Sequence, residues 1–201
     1  MTALAGHVGL MDAAMGMEPV ARGGEGNGGD LGERFAAGEA GAFEEVVRVY
    51  GERLGRMAER LMAWSGDGED AVQEGLVRAY EGRGRFRGEC ELGTWLARIV
   101  INRCRSMERR RRLGVRRVER WFSGRASRAE GGGDEVAEAV RAAVGKLGIR
   151  EREVVVMFYL EELGGKEVAG VLGISEAAVH QRLHRARERL GVLLEKGGVM
   201  R

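Results

Sequence analysis

From Asp30 onward, apolar residues return every three or four positions, the period of an amphipathic α-helix, almost to the end of the chain. "DLGERFAAG" (30–38) predicts a short helix with Asp30 as N-cap and Gly38 as stop. "AFEEVVRVYGERLGRMAERLMAW" (42–64) places Phe43, Val46, Val47, Tyr50, Leu54, Met57, Leu61 and Met62 on one face of a long second helix. "DGEDAVQEGLVRAYEG" (67–82) predicts a third, with Asp67 near its start and acids in the first turn, as the helix dipole favours. "ELGTWLARIVINRCRSMERRRRL" (91–113) predicts a fourth, with Trp95, Leu96, Ile99, Val100 and Ile101 apolar. After a stretch without periodicity the pattern resumes in "EVAEAVRAAVGKL" (135–147), "REREVVVMFYLEEL" (150–163), "GKEVAGVLG" (165–173) and "ISEAAVHQRLHRARERL" (174–190). No stretch alternates with period two for long enough to be a strand. The predicted fold class is all-α, in two small helical domains joined by a basic flexible linker.

The gaps in this pattern set the boundaries. Residues 1–29 run out in glycine-rich polar sequence that cannot bury enough apolar surface to order itself, and are expected to be a disordered tail. The first domain is placed at 30–113, the linker at 114–133, the second domain at 134–195 and a short tail at 196–201. Eleven arginines against Glu108 and Glu119 lie between Arg103 and Arg128, so the linker and the helix before it are strongly basic. The whole chain has a net charge of only +2, so any binding to nucleic acid must come from such local clusters. Aromatic residues make up 5% of the chain, too few for a large base-stacking platform. The two cysteines, Cys90 and Cys104, form no CxxC pair and fit free thiols in a reducing compartment. The longest apolar run, "VVVMFYL" (154–160), is too short to span a bilayer, and no basic segment precedes an apolar block at the N-terminus. A soluble cytoplasmic protein without membrane insertion is expected.

The stretch 165–186 has the layout of a helix-turn-helix. Ala169 is small where two helices must cross, Gly173 follows Leu172 where the chain must leave the helix, and Ser175 can cap the second helix. Val179, Leu183, Ala186 and Leu190 form a narrow apolar stripe along that second helix. The opposite side carries Ala177, Gln181, His184 and Glu188, flanked by Arg182 and Arg185. Gln181 can read an adenine edge with two hydrogen bonds, and Arg182, Arg185 and Arg187 can hold phosphates or a guanine. One side of this helix closes a core while the other is suited to a major groove.

His180 and His184, four apart, also suggest a metal pair, since "HQRLH" resembles HExxH. Gln181 stands where that motif has its general base, and His7 is the only other histidine. No metal site, cofactor or catalytic set is expected, and nothing pairs a nucleophile with a base. The chain is not expected to be an enzyme.

Taken together, four segments resemble an extracytoplasmic-function sigma factor of bacterial RNA polymerase. They are "AFEEVVRVYGERLGRMAERL", "DGEDAVQEGLVRAY", "RFRGECELGTWLARIVINRCRSMERRRR" and "KLGIREREVVVMFYLEEL…KEVAGVLGISEAAVHQRLHRARERL". The likeness covers about residues 30–113 and 136–194. It implies a promoter-specificity subunit whose first domain (sigma region 2) grips core RNA polymerase and melts the −10 element, and whose second (sigma region 4) reads the −35 element as duplex. Its partners would be core RNA polymerase and promoter DNA, with an anti-sigma factor a further partner that the resemblance leaves open. By the family's pattern, Asp70, Gln73 and Glu74 fall where the polymerase clamp is bound. Arg78 and Asn102 match positions that contact the −10 strand, and Phe86 with "RGE" matches a loop that captures an unstacked base. Arg98, Arg103, Arg105 and Arg109 to Arg112 supply charge for that strand. Trp95 matches a position near the junction and reads equally well as a core tryptophan. The −35 set is Glu176, Ala177, His180, Gln181, Arg182, His184 and Arg185.

The sequence departs from the family's pattern at three places. Gly148 stands where proline is usual and Gly164 or Gly165 where serine is, so both helix starts are expected to be looser. His180 and Gln181 replace a basic residue and a serine, so an unusual −35 sequence is expected. The competing reading, a stand-alone helix-turn-helix regulator, gives the first domain no task.

Overall fold

The computed structural model describes residues 28–118 and 135–197, which fall into two compact units treated separately below. Most of the expected N-terminal tail, the linker beyond Val118 and residues 198–201 lie outside the described residues. Every element among the described residues is helical, and none is long and apolar enough to cross a membrane.

The first unit contains α1 (Gly28–Ala37), α2 (Ala42–Leu61), α3 (Gly68–Glu81), a 3₁₀ turn (Arg83–Arg85) and α4 (Leu92–Val118). α1 begins two residues before Asp30, so that aspartate lies in the first turn instead of capping it. Arg34, on the same helix, donates to Glu45 of α2 at 3.0 Å and also faces Asp30 and Glu39. The bond and charge of Glu45 raise the pKa of this guanidinium. Gly38, with φ +74°, ends α1 as its composition predicts. α2 stops at Leu61, three residues short of the expected Trp64: Ala63 and Trp64 both turn left-handed (φ 59° and 54°), and Trp64 N–H closes on the Glu59 carbonyl at 2.8 Å.

The core gathers Phe35, Val46, Met57, Leu61, Leu76, Leu92, Leu96, Val100 and Ile101, all buried. Each contributes about 1.5–3 kcal/mol by leaving water. α3 lies closely on α4, since a Cβ at Gly75 would come within 2.9 Å of Val100 Cγ2. The expected face of α2 is narrower than its spacing suggests, because Val47 remains 39% exposed. α4 also runs five residues past the expected boundary, so 114–118 are helical. Arginine is a good helix former, Glu108 accepts from Arg112 at 3.2 Å one turn on, and the lone Gly114 costs only about 1 kcal/mol, too little to stop the helix.

The second unit contains α5 (Glu135–Gly145), α6 (Ile149–Val155) continuing into a π turn (Val156–Leu160), α7 (Gly165–Leu172) and α8 (Glu176–Lys196). The expected uninterrupted helix over 150–163 is thus broken by a wider turn. It buries Val156, Met157 and Leu160 together, and the chain then leaves through Glu162 at φ 52°. The predicted stripe of α8 is the core: Val179, Leu183 and Ala186 are 0% exposed and Leu190 5%.

Gly148 and Gly164 do sit at helix starts and provide no side-chain cap, but at each a glutamate three residues on satisfies the glycine's own N–H. The Glu151 carboxylate accepts from Gly148 N–H at 3.3 Å, and Glu167 accepts from Gly164 N–H at 2.7 Å. Arg152, 3% exposed, does the same at a helix end. Its Nε donates to the Val144 carbonyl at 3.2 Å, and Nη2 to Gly145 and Leu147 at 2.7 and 3.0 Å, covering carbonyls that the end of α5 leaves open.

Candidate nucleic-acid and polymerase interface

On α3, Asp70, Gln73 and Glu74 are all exposed, at i, i+3 and i+4, with Val77 (54% exposed) one turn further along the same side. They therefore share a face that an outside surface can reach. Gln73 Nε2 donates to Glu69 at 3.2 Å. Glu74 is tied inward: its Oε1 accepts from Arg103 Nη2 of α4 at 2.5 Å.

Where α3 and α4 diverge, a hollow of about 520 Å³ is lined by Arg78, Glu81, Arg85, Trp95, Asn102 and Ser106, among others. It brings together Arg78 of α3 and Asn102 of α4, which the 3₁₀ turn and a loop separate in the chain. Arg105 Nη1 donates to Asn102 Oδ1 at 3.0 Å, which leaves the Asn102 amide nitrogen as the outward donor. Trp95 is half-buried and satisfies both sequence readings. One edge packs on the core through Phe35 (ring centroids 6.2 Å apart) while the ring also lines the hollow.

Two residues of the expected −10 set are held differently. Phe86 packs edge-on against Trp95 at 5.6 Å, and a Cβ at Gly32 would meet its ring at 2.8 Å. In this arrangement it anchors the loop that carries the exposed Arg87, Gly88 and Glu89. Arg98 is half-buried and points Nη1 at Cys90 Sγ, 3.8 Å away. Arg103, read in the sequence as charge for DNA, is 5% exposed and belongs to the interior.

In the second unit, α7 ends at Gly173 with φ +66°, a conformation that favours glycine, and Ser175 Oγ accepts from Ala178 N–H at 3.2 Å to start α8. The turn and cap read in the sequence are both present. Glu176, Ala177, His180, Gln181, His184 and Arg185 are exposed along one side of α8, and Arg182 is half-buried at its flank. The two histidines turn to different carboxylates: His180 Nε2 lies 3.8 Å from Glu176, and His184 Nδ1 lies 3.5 Å from Glu188. Arg187 is exposed as well, but its guanidinium is partly engaged within the unit. It donates from Nε to Tyr159 Oη at 2.7 Å and lies over that ring, while Arg189 pairs with Glu151 at 3.4 Å.

The sequence reading missed Arg103 and Arg152 as interior groups, although a signal for both was present. Arg103 falls three residues after Val100 and seven after Leu96, and Arg152 falls three before Val155, so helical register puts each on its buried stripe.

Residues 46–113 match the family model described as Sigma-70 region 2, and residues 137–190 match Sigma-70, region 4. The chain is 32% identical over 159 residues to the ECF RNA polymerase sigma factor SigM of Mycobacterium tuberculosis, an alignment covering 79% of this chain and 80% of that one. It is 30% identical over 177 residues to the RNA polymerase sigma factor CnrH of Cupriavidus metallidurans, covering 82% and 93%. The solved structure of CnrH in complex with the cytosolic domain of CnrY superposes with a TM-score of 0.62 at 29% identity, covering 85% of this chain and 99% of that one. The sigma factor RpoE from Bartonella quintana, crystallised with the anti-sigma factor NepR, shares the fold with a TM-score of 0.63 at 24% identity, covering 78% and 98%.

Proposed function

The chain belongs to the extracytoplasmic-function sigma factors of bacterial RNA polymerase, and we propose that it divides promoter reading between the hollow of its first unit and the outer side of α8. A sigma factor binds core RNA polymerase and directs promoter-specific initiation, so core polymerase and promoter DNA are its partners.

In the proposed division, Asp70, Gln73 and Glu74 meet the polymerase clamp. Arg78 and Asn102, with Arg105 behind the amide, contact the melted −10 strand, with Trp95 forming the wall against which an unstacked base can rest. Phe86 shapes the base-capture loop, and Arg98 stiffens the helix beneath it. The outer residues of α8 read the −35 duplex. Opening DNA needs a surface that favours single strands over duplex, through captured bases and neutralised phosphates. The observation that carries this reading is the meeting of Arg78, Asn102 and Trp95 at one hollow, two cationic or donor groups beside an aromatic wall.

The chain's own chemistry in this role is binding and positioning, with no catalytic step assigned to it, and it acts in the cytoplasm, where the polymerase is. An anti-sigma factor as a further partner is supported by the relative CnrH, whose solved structure is a complex with CnrY. The test is run-off transcription with purified core polymerase on a promoter-bearing template. Defined transcripts that need the added chain support the reading, whereas tight promoter binding without polymerase and no transcripts with it would support the stand-alone regulator instead.

A further inference from the structure

Glu176 is the only carboxylate on the outer side of the first three turns of α8, a surface assigned to a groove bordered by phosphates. A bare carboxylate there is repelled by the DNA unless it accepts from a base amino group. Its surroundings show how it is aimed. The His180 imidazole, one turn on, lies 3.8 Å from its Oε1. Both heads fold over the start of α7 at Gly165: a Cβ there would lie 3.1 Å from His180 Nε2 and 3.2 Å from Glu176 Oε1. The nearby Glu167 is occupied in capping Gly164 N–H at 2.7 Å. The pair thus rests close over Gly165, and a side chain there would push both heads outward by a few tenths of an ångström.

We propose that Glu176 is a specificity-determining residue that accepts the N4 amino hydrogen of a cytosine at one position of the −35 element. His180 and Gly165 are positioning residues that hold the carboxylate toward that base. The inference rests on the assignment of α8 to the −35 groove and deepens it. Among groove contacts, a carboxylate suits cytosine because that base offers a donor edge, whereas the acceptors of guanine would repel it. The imidazole, 3.8 Å from the carboxylate, stands ready to offer it an N–H from its flank.

The experiment is transcription by core polymerase and the full chain from templates with a randomised −35 element, scored base by base. Glu176→Gln should move the preference at one position from cytosine toward adenine, with activity on the cytosine template falling roughly 5- to 100-fold, since a glutamine amide pairs with adenine. His180→Ala should blunt selectivity at the same position, while His180→Gln, which can still donate to the carboxylate, should restore much of it. Gly165→Ala should leave the melting temperature unchanged or slightly raised while reducing selectivity there, a separation that a purely structural role would not give. If Glu176→Gln leaves every preference unchanged while Gln181→Ala alters one, the proposal is overturned and the assignment of α8 stands. If Glu176→Gln, Gln181→Ala and Arg182→Ala all leave base preference and activity untouched, the assignment of α8 falls and the proposal with it.

Discussion

Arg103 of α4 and Glu74 of α3 form an ion pair at 2.5 Å in which the arginine side chain is 4% exposed and the glutamate 49%. Nε and Nη1 of that arginine are buried without a hydrogen-bond partner, so Glu74 supplies the guanidinium's only hydrogen bond found among the described residues. One carboxylate therefore serves two surfaces, the exposed face of α3 and the interior charge of α4.

The consequence is that two substitutions on the same face should behave differently. Asp70→Lys should weaken core polymerase binding and lower stability by no more than about 1 kcal/mol, the loss of a favourable acid in the first turn of an exposed helix end. Glu74→Lys should weaken binding and also destabilise the first unit by about 1–3 kcal/mol, less than for a fully buried pair because water screens the glutamate side. Thermal melts beside core-binding titrations separate the two. Equal melting temperatures for both variants would deny the interior role of Arg103.

Arg152→Met keeps most of the side-chain volume and removes the arginine's donors to Val144, Gly145 and Leu147, leaving Val144 only the Leu147 N–H at 3.1 Å. Leaving those carbonyls short should cost about 2–4 kcal/mol. Hydrogen exchange in the full chain should speed up at amides of α5 and α8 and stay unchanged in α2 and α3. Unchanged protection of α5 would show that the cap contributes nothing.

How far the sequence reaches is clear from α8. Its stripe, its Ser175 cap and the Gly173 turn were legible because each is local, set by spacing within one or two turns. Long-range partners were not. Arg187 reads as a groove contact in the sequence, yet its partner Tyr159 is 28 residues away, and only packing brings the two together. Arg103 reads as charge for DNA for another reason: charge outweighs register there, although it stands on an apolar stripe, and Arg152, on another such stripe, carries no sequence expectation at all. The hollow of the first unit was half legible. Arg78 and Asn102 could be named from the resemblance, but the hold of Arg105 on the Asn102 amide and the packing of Phe86 on Trp95 depend on tertiary contact.

Salt dependence tests the phosphate contacts. For holoenzyme on promoter DNA, the logarithm of affinity should fall steeply with the logarithm of salt concentration, and Arg78→Ala should lower that slope by about one contact's worth, between 0.7 and 1. A slope near zero, or one unaffected by Arg78→Ala, would remove Arg78 from the strand.

Leu183→Ala and Gln181→Ala probe the two sides of α8. Leu183 is 0% exposed, so its truncation should destabilise the second unit by about 2–5 kcal/mol without altering base preference in the protein that remains folded. Gln181→Ala should leave stability alone and cost roughly 1–3 kcal/mol at one −35 position. The reverse pattern would mean that α8 is rotated relative to the groove.

The most direct measurement of the divided reading is initiation by core polymerase and this chain from a library in which the −10 and −35 elements are both randomised. The account predicts that the double variant Arg78→Ala, Asn102→Ala flattens preference in the −10 element alone, and that Gln181→Ala changes preference in the −35 element alone. A library in which either variant shifts both elements alike, or in which the chain enriches no promoter sequence over core polymerase by itself, would contradict it.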